Sequence, residues 1–279
     1  FPQWATASNR ALMVEVSGTI NPASAKYIQD NLKRAQSEDF TAFILKINTP
    51  GGLLSSTRDI VADISNSSVP VIAFVGPSGS RATSAGALIL LSAHIVGMSL
   101  GTHMGAAHPV GADGGDIPGD MGKKATQDTA AFARSQALLR GGDLDVATSI
   151  VTESLSLSAR EALDKKIADV VAEDLPSLFE QVHRRTVSIK GNSSELPLLQ
   201  MSEVEVVPMS WHLSALHFLA DPSISTMLIS LGAAALFAEV SAGFTLIVPG
   251  MVGLLALILG FTGLSTLPIQ TGALFLMGF

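Results

Sequence analysis

The stretch AFILKINTPGG, residues 42–52, sets the pattern for the first part of this chain. Its apolar residues 42–47 are typical of a buried strand, and Pro50-Gly51-Gly52 ends that strand in a turn. The same order recurs at residues 71–86, where the apolar run VIAFV is followed by the loop GPSGSRATSAG. In both places an apolar helical pattern comes next. This alternation of strand, turn and helix predicts an α/β domain with a mainly parallel core sheet.

Apolar spacing on either side extends this pattern to a whole domain. Strands of one sheet are predicted near residues 12–16, 42–47, 71–75 and 95–98. Helices are predicted to begin at Pro22, to follow Gly52, and to cover about residues 85–93, 124–140 and 175–184. Ser158 and Glu161 have the spacing of a capping box. We expect the domain to occupy about residues 10–186 and a polar linker to follow at 187–222.

The carboxyl-terminal part of the chain is far more apolar than the predicted α/β domain. No Lys or Arg follows Lys190, and Glu239 is the one charged residue after Asp221. Because about 20 apolar residues cross a hydrocarbon core of about 30 Å, we predict a transmembrane region at 223–279. Its spans would cover about 224–243 and 246–264, with an incomplete third from 267. The alternative is a pair of helices buried in a globular core, and no flanking basic residue orients the spans.

Composition narrows the classes of partner and cofactor. The chain has no Cys, which excludes disulfide scaffolds and cysteine-ligated zinc sites. The net charge is −7 with no basic face, so nucleic acid is not an expected partner. Asp113, Asp116 and Asp120 alternate with glycines, but their spacing does not fit an EF-hand, and we expect a solvated loop without metal. No cofactor is expected. Residues 1–9 contain Ala-Thr-Ala, which fits either a signal-peptide remnant or an ordinary leader loop.

Acyl transfer needs a nucleophile, a base, and N–H donors for the developing negative charge, and two segments have the residue types for the nucleophile and the donors. Ser84 ends a loop and precedes an apolar helix, where unpaired amide N–H groups lie beside its hydroxyl. The alternative for Ser84 is a helix N-cap. Gly51 and Gly52 allow close backbone approach and follow a strand, where loops of α/β sheets bind ligands. The alternative for these glycines is a plain turn.

Taken together, INTPGG at 47–52 and RATSAG at 81–86 resemble the Clp-protease/crotonase superfamily. With GTHMGAAHP at 101–109 and LSLSAREAL at 155–163, the chain more closely resembles the long-form NfeD proteins, which are membrane-bound Clp-class serine proteases. The resemblance implies a spiral of β-β-α units followed by an α-helical transmembrane region. It also implies a multi-pass cell-membrane protein whose protease domain lies outside the cytoplasm.

The resemblance further implies an ATP-independent serine endopeptidase with a serine–lysine dyad. The family's serine falls on Ser84 and its lysine on Lys124, with oxyanion donors at Gly51 or Gly52 and at Ala85. The implied substrates are hydrophobic segments of membrane-associated proteins, with a stomatin-like protein as partner, and a homo-oligomer is expected. Two other functions remain open: a catalytically idle membrane scaffold for stomatin-like proteins, and a crotonase-like acyl-CoA enzyme.

Two residues compete for the role of the base. His108 follows Ser84 by 24 positions, and its ordinary pKa of about 6.5 suits a base at neutral pH. A lysine has an ordinary pKa near 10.4 and must be desolvated to act as one. Chemistry alone favours His108, whereas the family resemblance favours Lys124, which we choose. Lys123 is the neighbouring substitute.

Overall fold

The computed structural model describes residues 9–111, 115–243 and 247–265. The strands are β1 (Ala11–Ser17), β2 (Ala42–Asn48), β3 (Val71–Val75), β4 (Arg81–Thr83), β5 (Ile95–Met98), β6 (His103–Gly105), β7 (Ser156–Ser158), β8 (Val170–Val171), β9 (Thr186–Ile189), β10 (Asn192–Glu195) and β11 (Val204–Val206). The helices are α1 (Pro22–Ser37), α2 (Leu54–Ser65), α3 (Ala85–Ser92), α4 (Gly119–Arg140), α5 (Leu144–Thr152), α6 (Ala159–Asp164), α7 (Leu175–Val182), α8 (Trp211–Leu219), α9 (Pro222–Ser241) and α10 (Ile247–Ser265). They divide into two compact units, with Ala25–Met209 in the larger and the chain from Ser210 in the smaller.

The core of the larger unit is a six-stranded sheet in the order β11-β1-β2-β3-β5-β8, and all its pairs are parallel. Every residue of β3 and of β5 is buried. A parallel sheet covered by helices on both faces produces such continuous apolar runs, which is why these strands are readable from sequence. The prediction that residues 12–16, 42–47, 71–75 and 95–98 share one sheet is confirmed.

A second, smaller sheet contains the strand that precedes Ser84. Its order is β4-β6-β7, and each strand has three residues. Strands β4 and β6 pair in parallel, so that Thr83 lies opposite Gly105. Because β4 ends one residue before Ser84, this sheet fixes the approach of the chain to that serine. Strands this short have no readable period, and the sequence analysis does not predict them.

Helix α4 is longer than its predicted extent of 124–140. It begins at Gly119, five residues earlier, with Asp120 in the first turn, where a carboxylate interacts favourably with the helix dipole. The predicted end at Arg140 is confirmed, since Gly141 adopts the left-handed conformation (φ 72°) that closes many helices. The predicted capping box of Ser158 and Glu161 is also present, at the start of α6. Lys124 therefore lies inside a helix and does not open it.

Residues 187–222, treated as a linker in the sequence analysis, contain regular structure. Strands β9 and β10 form an antiparallel hairpin, and β11 pairs with β1 at the edge of the core sheet. Val187 and Ile189 are buried in the core that α7 also packs against. Alternation of buried and exposed residues along β9 explains its polar composition, because only one face meets the core. Helix α8 belongs to the smaller unit.

The smaller unit contains two helices long and apolar enough to cross a membrane, Pro222–Ser241 and Ile247–Leu264. Few of their residues are buried within the chain, unlike the core helices of the alternative expectation. They approach closely, since a Cβ on Gly232 would lie 2.7 Å from the Gly253 carbonyl oxygen. Glu239 is buried in this hairpin beside Gly250. The predicted third span from 267 and most of the predicted leader, residues 1–8, lie outside the described residues.

Candidate active site

Ser84 has a backbone conformation that few residues adopt. It joins β4 to α3 with φ 53° and ψ −115°. Its N–H donates to the Gly105 carbonyl at 2.9 Å, which fixes the serine against the end of β6. A non-glycine residue at positive φ costs about 1–3 kcal/mol, and such residues cluster at functional sites. Ser84 occupies the N-cap position of α3, but its side chain makes no capping hydrogen bond, so its hydroxyl does not serve the helix.

The Pro-Gly-Gly turn lies directly against this serine. A Cβ built on Gly51 would fall 2.6 Å from the Ser84 Cβ and 3.0 Å from its Oγ. Backbone hydrogen bonds hold the two segments side by side, from Thr49 N–H to the Arg81 carbonyl (2.7 Å) and from Thr83 N–H to the Thr49 carbonyl (3.1 Å). Gly51 has φ +125°, and only glycine combines that angle with so close an approach. The structure thus brings together the two segments that the sequence singles out.

The N–H groups around Ser84 differ in their availability. The Gly51 N–H is engaged, since it donates to the Thr49 hydroxyl at 3.0 Å. Among the residues that the structure describes, the N–H groups of Gly52 and Ala85 have no acceptor. Ala85 is the first residue of α3, where amide hydrogens have no partner inside the helix. Of the three predicted donors, Gly52 and Ala85 are therefore the two whose N–H groups are not engaged within the described residues.

Thr49 is a residue of this site that the sequence analysis missed. Its side chain is fully buried. Its hydroxyl accepts from the Gly51 N–H and lies 3.1 Å from the Gly51 carbonyl oxygen, to which it donates. A hydroxyl placed two residues before a glycine can close a tight turn in this way. The position of the threonine just before Pro50-Gly51-Gly52 was the available signal.

Lys124 lies in the second turn of α4 with an exposed side chain. Within the described ranges no hydrogen bond or ion pair joins it to another residue, so the structure does not bring it into contact with Ser84. Its neighbour Lys123 lies 3.8 Å from Asp120, one turn earlier. The helix is anchored farther along, where Asp128 pairs with Arg58 of α2.

His108 is the second candidate base, and its ring is oriented by the backbone. Nδ1 lies 3.1 Å from the Val151 carbonyl oxygen. Because a carbonyl can only accept, Nδ1 carries the hydrogen and the neutral ring keeps a lone pair on Nε2. Asp116 lies 4.0 Å from Nε2, too far for a hydrogen bond, and is itself almost fully exposed. His108 is thus in a tautomer that suits a base, and no hydrogen bond joins it to Ser84.

The acidic loop gives no sign of a metal site in the part that the structure describes. Asp113 lies outside the described residues. Asp116 and Asp120 are exposed. Across residues 9–111, 115–243 and 247–265, no cluster of three or more histidine and acidic side chains could hold a metal ion.

Known proteins resemble this chain in sequence. The family model described as NfeD1b, N-terminal domain, matches residues 10–190. The membrane-bound protease PH1510 of Pyrococcus horikoshii is 29% identical over 261 residues, which cover 92% of this chain and 58% of that protein. The membrane protein NfeD1b of Bacillus subtilis is 28% identical over 261 residues, covering 90% of this chain and 55% of that protein. The chain therefore spans little more than half the length of these two relatives.

Solved structures resemble it in fold. One is the 1510-N membrane-bound stomatin-specific protease, a lysine-to-alanine mutant in complex with a substrate peptide. It is 27% identical with a TM-score of 0.69, over 76% of this chain and 98% of that chain. Another is the 1510-N membrane protease specific for a stomatin homolog from Pyrococcus horikoshii, 26% identical with a TM-score of 0.66, over 77% of this chain and 100% of that chain. These similarities confirm the predicted α/β fold, and with the family match over residues 10–190 the chain belongs to the NfeD1b N-terminal-domain family.

Proposed function

We propose that this protein is a membrane-anchored serine endopeptidase with Ser84 as its nucleophile. The observation that carries the proposal is the arrangement around Ser84. The serine is held at positive φ without a capping bond and against Gly51, and the N–H groups of the next residues, Gly52 and Ala85, have no acceptor among the described residues. Relatives that are described as membrane-bound proteases support the same activity.

The reaction follows from these positions. The Ser84 Oγ attacks the carbonyl carbon of the scissile peptide bond while the base takes the hydroxyl proton. The carbonyl oxygen, now negative, accepts hydrogen bonds from Gly52 and Ala85, and loss of one such donor typically costs about 10²–10³ in kcat. The base returns the proton to the leaving amine, the C–N bond breaks, and an acyl ester remains on Ser84. Water, deprotonated by the same base, then attacks the ester and releases the acid with restoration of the serine.

Peptide hydrolysis by the full chain in detergent micelles tests this proposal. We expect Ser84→Ala to abolish cleavage while its thermal unfolding stays near that of the wild type. Ser92→Ala is the matched control, since Ser92 closes the same helix and donates only to the Ile89 carbonyl. Undiminished cleavage by folded Ser84→Ala would reject the serine mechanism. Normal complementation of a deletion strain by Ser84→Ala would favour the idle scaffold.

We assign the base to Lys124. The family resemblance supports this choice, as does the existence of a substrate complex of a relative made with a lysine-to-alanine mutant. Because Lys124 is exposed here, the assignment requires that bound substrate covers the ammonium group and lowers its pKa by desolvation. His108 is the specific alternative, because its Nε2 lone pair needs no such change.

Three alanine variants separate the candidates. Lys124→Ala should lose at least about 10²-fold in kcat, the usual contribution of a general base. Lys123→Ala should remain within about twofold of the wild type, since Lys123 makes only an exposed pair with Asp120. An active Lys124→Ala beside an inactive, folded His108→Ala would transfer the role to the histidine.

We further propose that the natural substrate is a hydrophobic segment of a stomatin-like membrane protein. Solved relatives are described as specific for a stomatin homologue. The expected product is a new amino terminus within or beside the apolar segment of such a protein, present with the wild type and missing with Ser84→Ala. Cleavage restricted to polar, soluble proteins would contradict this specificity.

Helices α9 and α10 are proposed as membrane spans, with the peptidase domain on the outside. Since the sequence has no cysteine, a single introduced one reports its location without background. Ser193→Cys, in the exposed β10, should react with a membrane-impermeant maleimide in intact cells or spheroplasts. Reaction only after lysis would reverse the orientation. A homo-oligomer is expected as well, and a monomer mass in light scattering would reject it.

A further inference from the structure

A cavity of about 410 Å³ lies in the larger unit, away from the candidate active site. Ser92 and Ala93 at the end of α3 line it, whereas Ser84 stands at the beginning of that helix. Eight residues at about 1.5 Å each separate the two places by about 12 Å. His94 and Ile95 bring the cavity to the amino-terminal end of β5, whereas ligand loops of such sheets lie at the carboxyl ends. The proposed peptidase reaction makes no use of this cavity.

The charges that line the cavity do not balance. Arg140, Arg185 and Lys190 contribute three positive charges, and Asp169 is the one carboxylate among the lining residues. That carboxylate is already engaged, because it accepts from the Val96 N–H at 2.8 Å and pairs with Arg140. The nearest guanidinium nitrogen of Arg185 is 3.8 Å from it. About two positive charges therefore remain without a counter-charge on the cavity wall.

Arg140, the cation that pairs with Asp169, is buried, whereas Arg185 and Lys190, the two cations without a counter-charge, line the same cavity at exposed positions. The Arg140 side chain is 7% exposed and also donates to the Ile167 carbonyl at 2.6 Å. Burial lowers the pKa of Arg140 from its ordinary value, partly offset by the nearby Asp169. Burial and the positive charge of Arg140 together lower the pKa of His94 to about 4. The cavity wall is thus a region of positive potential.

Hydrogen-bond donors complete the wall. His94 Nδ1 accepts from the Val71 N–H at 3.1 Å, so the neutral ring carries its hydrogen on Nε2. Lys190 and Gly191 form the turn between β9 and β10, with φ values of 50° and 80° that match a two-residue hairpin turn. The turn holds Lys190 at the cavity by backbone geometry.

We propose that this cavity is a binding site for a phosphomonoester of small-molecule size. A phosphomonoester carries about −1.5 to −2 charges at neutral pH, which matches the excess of about two positive charges, whereas a carboxylate would neutralise half of it. Arginine recognises phosphate by paired N–H donors. The volume lies within the range of about 300–1,000 Å³ of small-molecule sites and exceeds what the phosphate group alone would fill. The same chemistry is found in a soluble phosphomonoester and in the headgroup of phosphatidic acid.

Titration calorimetry of the full chain in maltoside micelles tests the site with glycerol 3-phosphate and inorganic phosphate as probes. We expect saturable binding that weakens at least tenfold in Arg185→Gln and in Lys190→Gln, both at exposed positions. Arg184→Gln is the matched control, because it removes the same charge from the neighbouring exposed residue, which does not line the cavity. Binding should also raise the pKa of His94, observed by proton NMR of its ring, and unfolding curves verify that each variant is folded.

Nanodiscs distinguish the two sources of the phosphate. Stronger association with phosphatidic acid than with phosphatidylcholine, lost in Lys190→Gln, would assign a lipid headgroup. Binding of glycerol 3-phosphate without any lipid preference would assign a soluble ligand. Failure of the wild type to bind any of these probes at millimolar concentration, or equal weakening by Arg184→Gln, would overturn the proposal. Neither result bears on Ser84, so the proposed peptidase activity stands or falls separately.

Discussion

Gly51→Ala is the substitution that most sharply tests the geometry around Ser84. The new methyl group would stand 2.6 Å from the Ser84 Cβ and 3.0 Å from its Oγ. Carbon atoms in contact prefer about 3.5–4.0 Å, so one side must move by about 1 Å. A displacement of that size at a reacting group can cost about 10²-fold in rate. The φ of +125° adds strain of about 1–3 kcal/mol for any residue with a Cβ.

We therefore expect kcat/KM to fall by about 10²-fold or more, with a folded protein whose free energy of unfolding drops by about 1–3 kcal/mol. The assay is hydrolysis of fluorescein-labelled casein in detergent micelles, with thermal unfolding measured on the same samples. Gly141→Ala is the control: φ is +72° there and no atom lies within 4 Å of the added Cβ, so only the strain remains. A folded Gly51→Ala that cleaves at the wild-type rate would refute the placement of this loop against the nucleophile.

Three further perturbations address the loop, the core and the apolar hairpin. Thr49→Val removes the hydroxyl that accepts from the Gly51 N–H, and should lower the free energy of unfolding by about 1–3 kcal/mol in denaturant titrations. His94 has a pKa of about 4 in the folded chain against an ordinary value of 6.5. As the pH falls, the histidine therefore becomes protonated at a higher pH in the unfolded chain than in the folded chain. The free energy of unfolding should be at its full value above pH 6.5 and should fall by up to about 3 kcal/mol towards pH 4. His94→Gln should reduce this loss, as measured by melting curves at each pH. Gly232→Leu should lower the melting temperature in detergent, because its Cβ would meet the Gly253 carbonyl at 2.7 Å, whereas Ala233→Leu on the exposed face should not.

The core sheet was predictable because its strands are buried on both faces. Residues 42–47 and 71–75 read as unbroken apolar runs, and the structure places them side by side as β2 and β3. The convergence of the Gly51 turn with Ser84 was predictable for the same reason, since loops at the carboxyl ends of neighbouring parallel strands meet at one edge. Fold class and the pairing of these two segments thus followed from hydrophobic pattern and topology.

The short strands, the long-range strand pairing and the hydrogen bonds of the site cannot be predicted from hydrophobic periodicity. Strands β4, β6 and β7 have three residues each, too few to show alternation. Strand β11 gains its partner only by reaching β1 across nearly 200 residues of sequence, a long-range pairing that local composition does not encode. The hydrogen bonds that distinguish Gly51 from Gly52 as donors depend on the hydroxyl of Thr49, and only coordinates reveal them.

Chemistry and family resemblance favour different residues as the base, and the structure adds to the sequence-based expectation for both. Lys124 was predicted to open a helix, but α4 already begins at Gly119, which places the lysine on an exposed face. The Val151 carbonyl oxygen orients the His108 ring, a backbone contact that the sequence does not reveal. Position in the chain predicts neither the exposure of Lys124 nor the contact between His108 and Val151.

Labelling of the full chain with a fluorophosphonate probe tests whether Ser84 is the nucleophile, because the probe reacts only with an activated nucleophile. We predict one adduct per chain, located on Ser84 by mass spectrometry and absent from folded Ser84→Ala. A crotonase-like acyl-CoA enzyme or an idle scaffold would leave this serine unmodified. Labelling of a different residue, or no labelling of a folded chain that still cleaves peptides, would contradict the assignment of Ser84.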